Sequence, residues 1–271
     1  PIPSLDNVLV RDFPSWTLDI PDVARAEIFL AHLKEWQQRD SMPNLVVLQL
    51  PSNHTAGTTE GWCTPKACVA DNDLALGQIV DGLSHSRFWN QMAILVVEDD
   101  AQNGVDHVDG HRTVALAISP YTRRGSVDST FYNHPSLLKT IELMLGLPAL
   151  SIFDLAATDL GRSFIGPGEK PDLAPFVAIA PAQSVYDVNP RASSLRGAQR
   201  SAALASARMR FDIPDAAPTG ILNRILWHDA RGPQAAYPVL RSALFFPMSL
   251  DVGDADRDSD DRPAPTRHPA P

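Results

Sequence analysis

Apolar positions along the chain follow helical and strand patterns in turn. Residues 22–40, DVARAEIFLAHLKEWQQRD, place Ala26, Phe29, Leu30, Leu33 and Trp36 at helical spacing, and Asp22 after Pro21 stands where an early helix residue or cap belongs. Pro43-Asn44 then leads into Leu45-Val46-Val47-Leu48-Gln49-Leu50, a continuous apolar run that stops at Pro51 and predicts a buried strand. The stretch 52–70, SNHTAGTTEGWCTPKACVA, is rich in Gly, Thr and Pro and predicts a long irregular loop, which in a compact domain suggests function. Residues 71–86 predict an amphipathic helix with Leu74, Ile79, Val80 and Leu83 inward. A second strand is predicted over 93–98 and a third over 113–119, ending at Ser119-Pro120. Pro135 then stands near a helix start, Leu137, Leu138, Ile141, Leu143, Met144 and Leu145 supply its apolar face, and Gly146 ends it. Helices and strands in this succession favour an α/β fold with a mostly parallel sheet covered on both faces.

The pattern weakens after about residue 156. Residues 166–190 are Pro-rich, 195–211 suit a basic, Ala-rich surface helix, and 220–228, GILNRILWH, suit a short amphipathic one. From Asp251 the chain has almost no apolar residue and reads as a disordered acidic tail. The expected organisation is an irregular segment over 1–21, an α/β core over 22–160, a Pro-rich and helical extension over 161–250, and the tail over 251–271.

Composition narrows the function. With 23 Lys and Arg against 32 Asp and Glu, the net charge is −9, and no basic cluster offers a nucleic-acid surface. No apolar run approaches the length that spans a bilayer, and no signal peptide is present. The chain opens at Pro1 without an initiator Met, as a mature product or a fragment would. Cys63 and Cys68 form a C-x4-C loop that could be a local disulfide in an oxidising compartment, free thiols, or half of a zinc site needing further ligands.

The stretch AILVVEDDAQNGVDHVDGHRTVALAISPY carries the candidate chemistry. An apolar strand ends in Glu98, Asp99 and Asp100, and a short polar loop adds Asp106, His107, Asp109 and His111. Ligands of parallel α/β sheets sit at the carboxyl ends of strands. Asp99 and Asp100 offer hard oxygen ligands for Mg, Mn, Ca or Fe, and with imidazole for Zn. His107 or His111 could bind metal, hold a phosphoryl oxygen or protonate a leaving group. Arg112 could clamp an oxyanion or pair with Asp109. His54, in PSNHT, occupies the equivalent strand-end position one strand away, so two strand-end loops converge on one crevice. Thr55, Thr58 and Thr59 are hydroxyls in an ordinary Thr-rich loop. The bland alternative is a surface loop of solvated acids and packing histidines.

The spacing Asp99-Asp100 followed by Asp106-His107-Val108 resembles the D-E-x-G-G-F-F-D-H-V signature of the bacterial phospholipase C and acid phosphatase family of phosphoesterases, within the alkaline phosphatase superfamily. The longer string VVEDDAQNGVDHVDGHRT…ISPYTRRGSVDSTFYN…LLKTIELMLGLP resembles phosphoesterase domains that are often fused to β-propellers in bacteria, and LPSNHTAGT, DNDLALGQIVDGLSHSRFW and NRILWHDARGP fit the same picture. The resemblance covers roughly residues 10–240. It implies an alkaline-phosphatase-like α/β/α sandwich, a phosphate-ester substrate, a divalent metal (Zn, Ca, Mg, Mn or Fe) held by Asp99 and Asp100, and His54 and His107 near the phosphoryl group. It also implies export, to the periplasm or outside the cell. Asp100 replaces a commoner Glu, a carboxylate of shorter reach, and Gln102 and Asn103 stand where the family has glycines.

The family's first strand carries a metal-binding Glu-Asn pair, and a later helix start presents a Ser or Thr nucleophile. Both lie upstream of the matched region, and no Glu-Asn pair occurs in residues 1–271. The expectation is therefore a C-terminal part of a catalytic domain, its N-terminal half missing, carried on another chain, or lost. Two function classes follow: a metal-dependent phosphoric ester hydrolase, and a non-catalytic remnant that binds metal or an anionic ligand or serves as an interaction domain. A third is a calcium-binding surface protein using the tail, although the tail lacks the spaced ligands and terminal Glu of an EF-hand loop.

Overall fold

The computed structural model describes residues 3–98, 113–213 and 216–238. Two helices form the centre of the core. Helix α1, Asp22–Arg39, turns Ala26, Phe29 and Leu33 onto Ala75, Ile79 and Leu83 of helix α2, Pro65–Ser84. Helix α1 ends at Asp40 in the left-handed conformation (φ 52°), with Asp40 N–H bonded to the carbonyls of Gln37 and Trp36.

Helix α2 begins well before residue 71, which shortens the long loop expected over 52–70. The reason is local chemistry. Thr64 is the N-cap and its Oγ1 accepts from the Ala67 N–H at 3.2 Å. Pro65 at the first turn has a φ already suited to a helix and lacks an N–H that would go unpaired there.

The apolar run 45–50 is extended, but it is not a strand buried on both faces. Val46, Leu48 and Leu50 pack on the α1–α2 core, while Leu45 is 49% and Val47 88% exposed. Among the described residues none of its backbone groups pairs with another main chain, and the Leu50 carbonyl accepts from the Asn72 side chain.

The two strands are β1, Ile94–Val97, and β2, Ala115–Ile118. They pair antiparallel, with Ile94 opposite Ile118 and Val97 opposite Ala115. The expected mostly parallel sheet is not seen among the described residues, whose one strand pair is antiparallel. Parallel neighbours need a crossover, usually a helix, whereas the segment between them shows no helical period, and an antiparallel return is the short route back. Among the described residues the chain is thus mixed α/β, rich in helix, with one two-stranded sheet.

Helix α3, His134–Leu145, starts one residue before Pro135 with a capping box between Asn133 and Ser136, and ends at Gly146 (φ 68°). A short helix not foreseen, α4, Ile152–Ala156, is set by a second capping box between Ser151 and Asp154. Helices α5, Gly197–Ser206, and α6, Thr219–Arg231, follow close to their expected places. The Pro-rich stretch 166–190 has no helix and lies against α2 as a strap: Phe176 N–H donates to Ser84 Oγ at 2.9 Å and Ala178 N–H to Asp81 at 2.8 Å. Cys63 and Cys68 form a disulfide. No helix among the described residues is long and apolar enough to cross a membrane. The tail expected over 251–271 lies outside the described residues.

Candidate functional site

His54 closes a single 3-10 turn, Ser52–His54, at the carboxyl end of the extended run. A buried polar network holds that turn. Ser52 N–H donates to Asp22 Oδ2 at 2.9 Å, and Ser52 Oγ donates to Asp71 Oδ2 at 2.7 Å. Asn72 bridges Asp22 Oδ2 and the Leu50 carbonyl, each at 2.9 Å. Asp71 also caps α1 from outside its own helix. The residue before α1 is Pro21, which has no side-chain acceptor, so Asp71 accepts from the Asp22 N–H at 2.6 Å and the Val23 N–H at 3.3 Å. A carboxylate there meets both the unpaired first-turn donors and the positive end of the helix dipole.

Arg25 extends the network to the N-terminal segment. Its side chain is 1% exposed, its Nε is 3.5 Å from Asp22 Oδ1, and its two terminal nitrogens donate to the carbonyls of Pro14 (2.8 Å), Ser15 (3.1 Å) and Thr17 (2.9 Å). Burial pushes the Asp22 carboxyl up from its ordinary range, against the pull of the Asn72 and Ser52 donors, and pushes the Arg25 guanidinium down. The result is one rigid frame joining residues 14–17, the start of α1, the His54 turn and the first turns of α2.

That frame sets the ring of His54 between two aromatic rings in perpendicular contact, Trp16 at 5.7 Å and Phe211 at 6.3 Å between centroids. His54 Nδ1 lies 3.2 Å from the Thr55 carbonyl, so Nδ1 donates there and Nε2 is left for other groups, as a lone pair in the neutral ring and as a second donor in the imidazolium. The neutral ring suits a metal ligand or a proton acceptor, and the charged ring a proton donor. The next residue is strained. Thr55 is buried with φ 62° and ψ 165°, a region β-branched residues avoid, and its Oγ1 accepts from Gly57 N–H at 3.2 Å. Gly57 is required where it stands: φ is 58°, and a Cβ there would come 2.5 Å from Ser206 Oγ. Ser206 in turn accepts from Thr58 N–H at 3.0 Å, which ties the end of α5 to this loop.

A second group forms at the end of β1. The Glu98 carbonyl accepts from His134 Nε2 at 2.9 Å, and its carboxylate accepts from Thr113 Oγ1 at 2.9 Å. The first residue of α3 is thereby tied to the residue immediately before Asp99. Asp99, Asp100, His107, His111 and Arg112 lie outside the described residues, so of the expected site residues only His54 is placed. Among the described residues no three or more His, Cys, Asp or Glu side chains gather as a metal site.

Several residues around these groups carry no motif in the sequence. His134 in FYNHP could have been singled out only as a polar ring at a helix start, and Asp71 and Asp22 read as ordinary surface acids of helices. Their roles come from contacts 30 to 50 residues apart in sequence.

Residues 5–148 match the Phosphoesterase family, a span that holds His54, Glu98, the Asp99-Asp100 pair and His134. None of the curated proteins compared with the chain matches it. A family match over more than half of the 271 residues settles the assignment: the chain belongs to the Phosphoesterase family, and phosphoester hydrolysis is its general chemistry.

Proposed function

We propose that the protein is a metal-dependent hydrolase of phosphoric ester bonds, of the phospholipase C or phosphatase type. The observation that carries this reading is the family match over 5–148, a span in which the acid pair Asp99-Asp100 follows β1 after Glu98 alone. The donor chemistry suits a divalent ion: two carboxylates, Asp99 and Asp100, with an imidazole whose Nε2 lone pair is free of the Thr55 bond. Such an ion would stabilise charge on the attacking and leaving oxygens. His107 and His54 hold equatorial phosphoryl oxygens or protonate the leaving oxygen, His111 assists as a second acid, and Arg112 clamps the anion. His134, bonded to the Glu98 carbonyl, acts as a positioning residue for the acid pair.

The fold proposed for the whole domain is the alkaline-phosphatase-like α/β/α sandwich, with further strands supplied by an N-terminal half on this or another polypeptide. The main chain of 45–50, which among the described residues pairs with no other main chain, and the exposed side chain of Val47 support that completion, because an extended segment with one apolar face in water gains both hydrogen bonds and burial from a neighbouring strand. A β-propeller is the proposed fusion partner, a phosphate ester the substrate, and the periplasm or cell exterior the location. Organisation into a core over 22–160, an extension over 161–250 and a tail beyond is part of the same proposal.

The test is hydrolysis of p-nitrophenyl phosphate and bis-p-nitrophenyl phosphate with each of Zn, Ca, Mg, Mn and Fe. Metal-stimulated turnover abolished by the double change Asp99→Ala, Asp100→Ala supports the proposal. Stoichiometric metal binding without turnover favours the second reading, a non-catalytic remnant that binds metal or an anionic ligand. Neither binding nor turnover sinks both.

A further inference from the structure

Helices α3 and α4 form a hairpin in which the usual placing of polar and apolar side chains is reversed. Between Pro135 and Ala157 the charged side chains are Lys139, Glu142 and Asp154. Each holds main chain rather than meeting solvent. Lys139 Nζ donates to the carbonyls of Leu155 (2.9 Å) and Ala157 (2.7 Å). Glu142, buried, accepts from Leu150 N–H at 3.2 Å. Asp154, also buried, accepts from Leu150 N–H at 2.7 Å and Ser151 N–H at 3.2 Å.

The apolar side chains of the same segment face water. Leu143, Leu147, Leu150, Ile152, Phe153 and Leu155 are each more than half exposed, and Leu150, Ile152 and Phe153 reach 80%, 75% and 72%. Six side chains of this size offer on the order of 700 Å2 of apolar surface, more than the roughly 300–600 Å2 of the largest patch on a typical monomer. That is close to the share of about 800 Å2 that each partner brings to a standard protein interface. The polar bonds beneath hold the segment in place, so an incoming partner meets a surface already formed.

The charge pattern selects the partner. A face that docks on a bilayer rings its apolar side chains with Lys and Arg, and here the one such side chain on α3 or α4 is Lys139, turned to carbonyls. Two copies of a chain of net charge −9 repel, and a face without solvent-facing charge is where they approach at least cost. Such a face is also complementary to itself under a two-fold rotation, which closes the assembly at two.

We propose that the α3–α4 hairpin is the interface of a two-fold symmetric homodimer, each copy covering the same apolar face of the other. The proposal goes beyond the phosphoesterase reading and does not depend on it.

The test is sedimentation equilibrium of the full chain. A dimer mass at about 10 μM is expected. Phe153→Asp alters both copies of the face at once and should weaken dimerisation at least about a hundredfold, with an unchanged circular dichroism spectrum. Leu150→Asp should act alike. Ile179→Asp, at a residue 84% exposed on the Pro-rich strap, should leave the dimer intact. A monomeric wild-type chain, a dimer indifferent to Phe153→Asp and Leu150→Asp, or a dimer lost equally in Ile179→Asp overturns the proposal. A wild-type monomer that sediments with phosphatidylcholine vesicles, and fails to do so as Phe153→Asp, assigns the face to a lipid surface and overturns it too.

Discussion

Replacing Asp22 by Ala should destabilise the protein by about 3 kcal/mol, because it strands a buried cation. Asp22 and Arg25 are 0% and 1% exposed and lie 3.5 Å apart. Removing one partner of a buried pair costs about 3–5 kcal/mol. The lower end applies because the guanidinium keeps its bonds to the Pro14, Ser15 and Thr17 carbonyls. Loss of acceptors for Ser52 N–H and Asn72 is contained in that figure rather than added to it. The isosteric Asp22→Asn strands the same charge but keeps an oxygen for those donors, so it should cost less than Ala, on the order of 2 kcal/mol. In urea, a slope of about 3 kcal/mol per molar turns the Ala effect into a midpoint lowered by about 1 M. Adding Arg25→Met to Asp22→Ala should cost less than the two single changes summed, since the stranded charge is gone. The Ser52 amide should also exchange faster than global unfolding explains. A midpoint lowered by less than about 0.2 M in Asp22→Ala, or an Asp22→Asn variant as unstable as the Ala variant, would refute the network as the frame of the His54 turn.

Thr55→Gly should raise stability by about 1 kcal/mol, relief of the φ 62° conformation outweighing the lost Gly57 bond and the added chain entropy; a lowered urea midpoint would show that Thr55 is not strained. The donor from Ser151 holds the Asp154 carboxyl down to about 2. Its contribution is therefore present above the ordinary value of 3.8 and disappears as the pH falls from there toward 2, so the acid limb of the stability curve should flatten in Asp154→Asn. An unchanged limb would contradict this. Reducing Cys63–Cys68, which closes a loop of separation 5, should cost about 2 kcal/mol by loop entropy. Thermal melts with and without reductant measure it, and identical melts would place the restraint elsewhere, in the Asn189 bonds to Gly57 and Cys63.

Elements with a strong local signal were legible. The spacing of Ala26, Phe29 and Leu33 predicted α1, and Pro135 with Gly146 bracketed α3 to within a residue. The start of α2 was also written locally, in Thr64-Pro65, but the Gly and Thr before it masked the signal. The family of the chain was legible too, because the acid pair and the histidines after it are contiguous and their spacing survives without a fold.

Other features depended on partners far away in the chain. Whether 45–50 is buried on both faces is a property of its neighbours, and periodicity reports only that it is apolar throughout. The pairing direction of β1 and β2 depends on how the chain returns, which residue type hardly encodes. The site divides in the same way. Residue identity marked His54 as a candidate, since an imidazole is a base or ligand in any fold. Its seat between Trp16 and Phe211, and the carboxylate of Asp71 that caps a different helix, were decided by tertiary structure. Chemistry travels with the side chain, but hydrogen-bond partners and burial are set by the approach of segments 30 to 50 residues apart, and no local pattern carries that information.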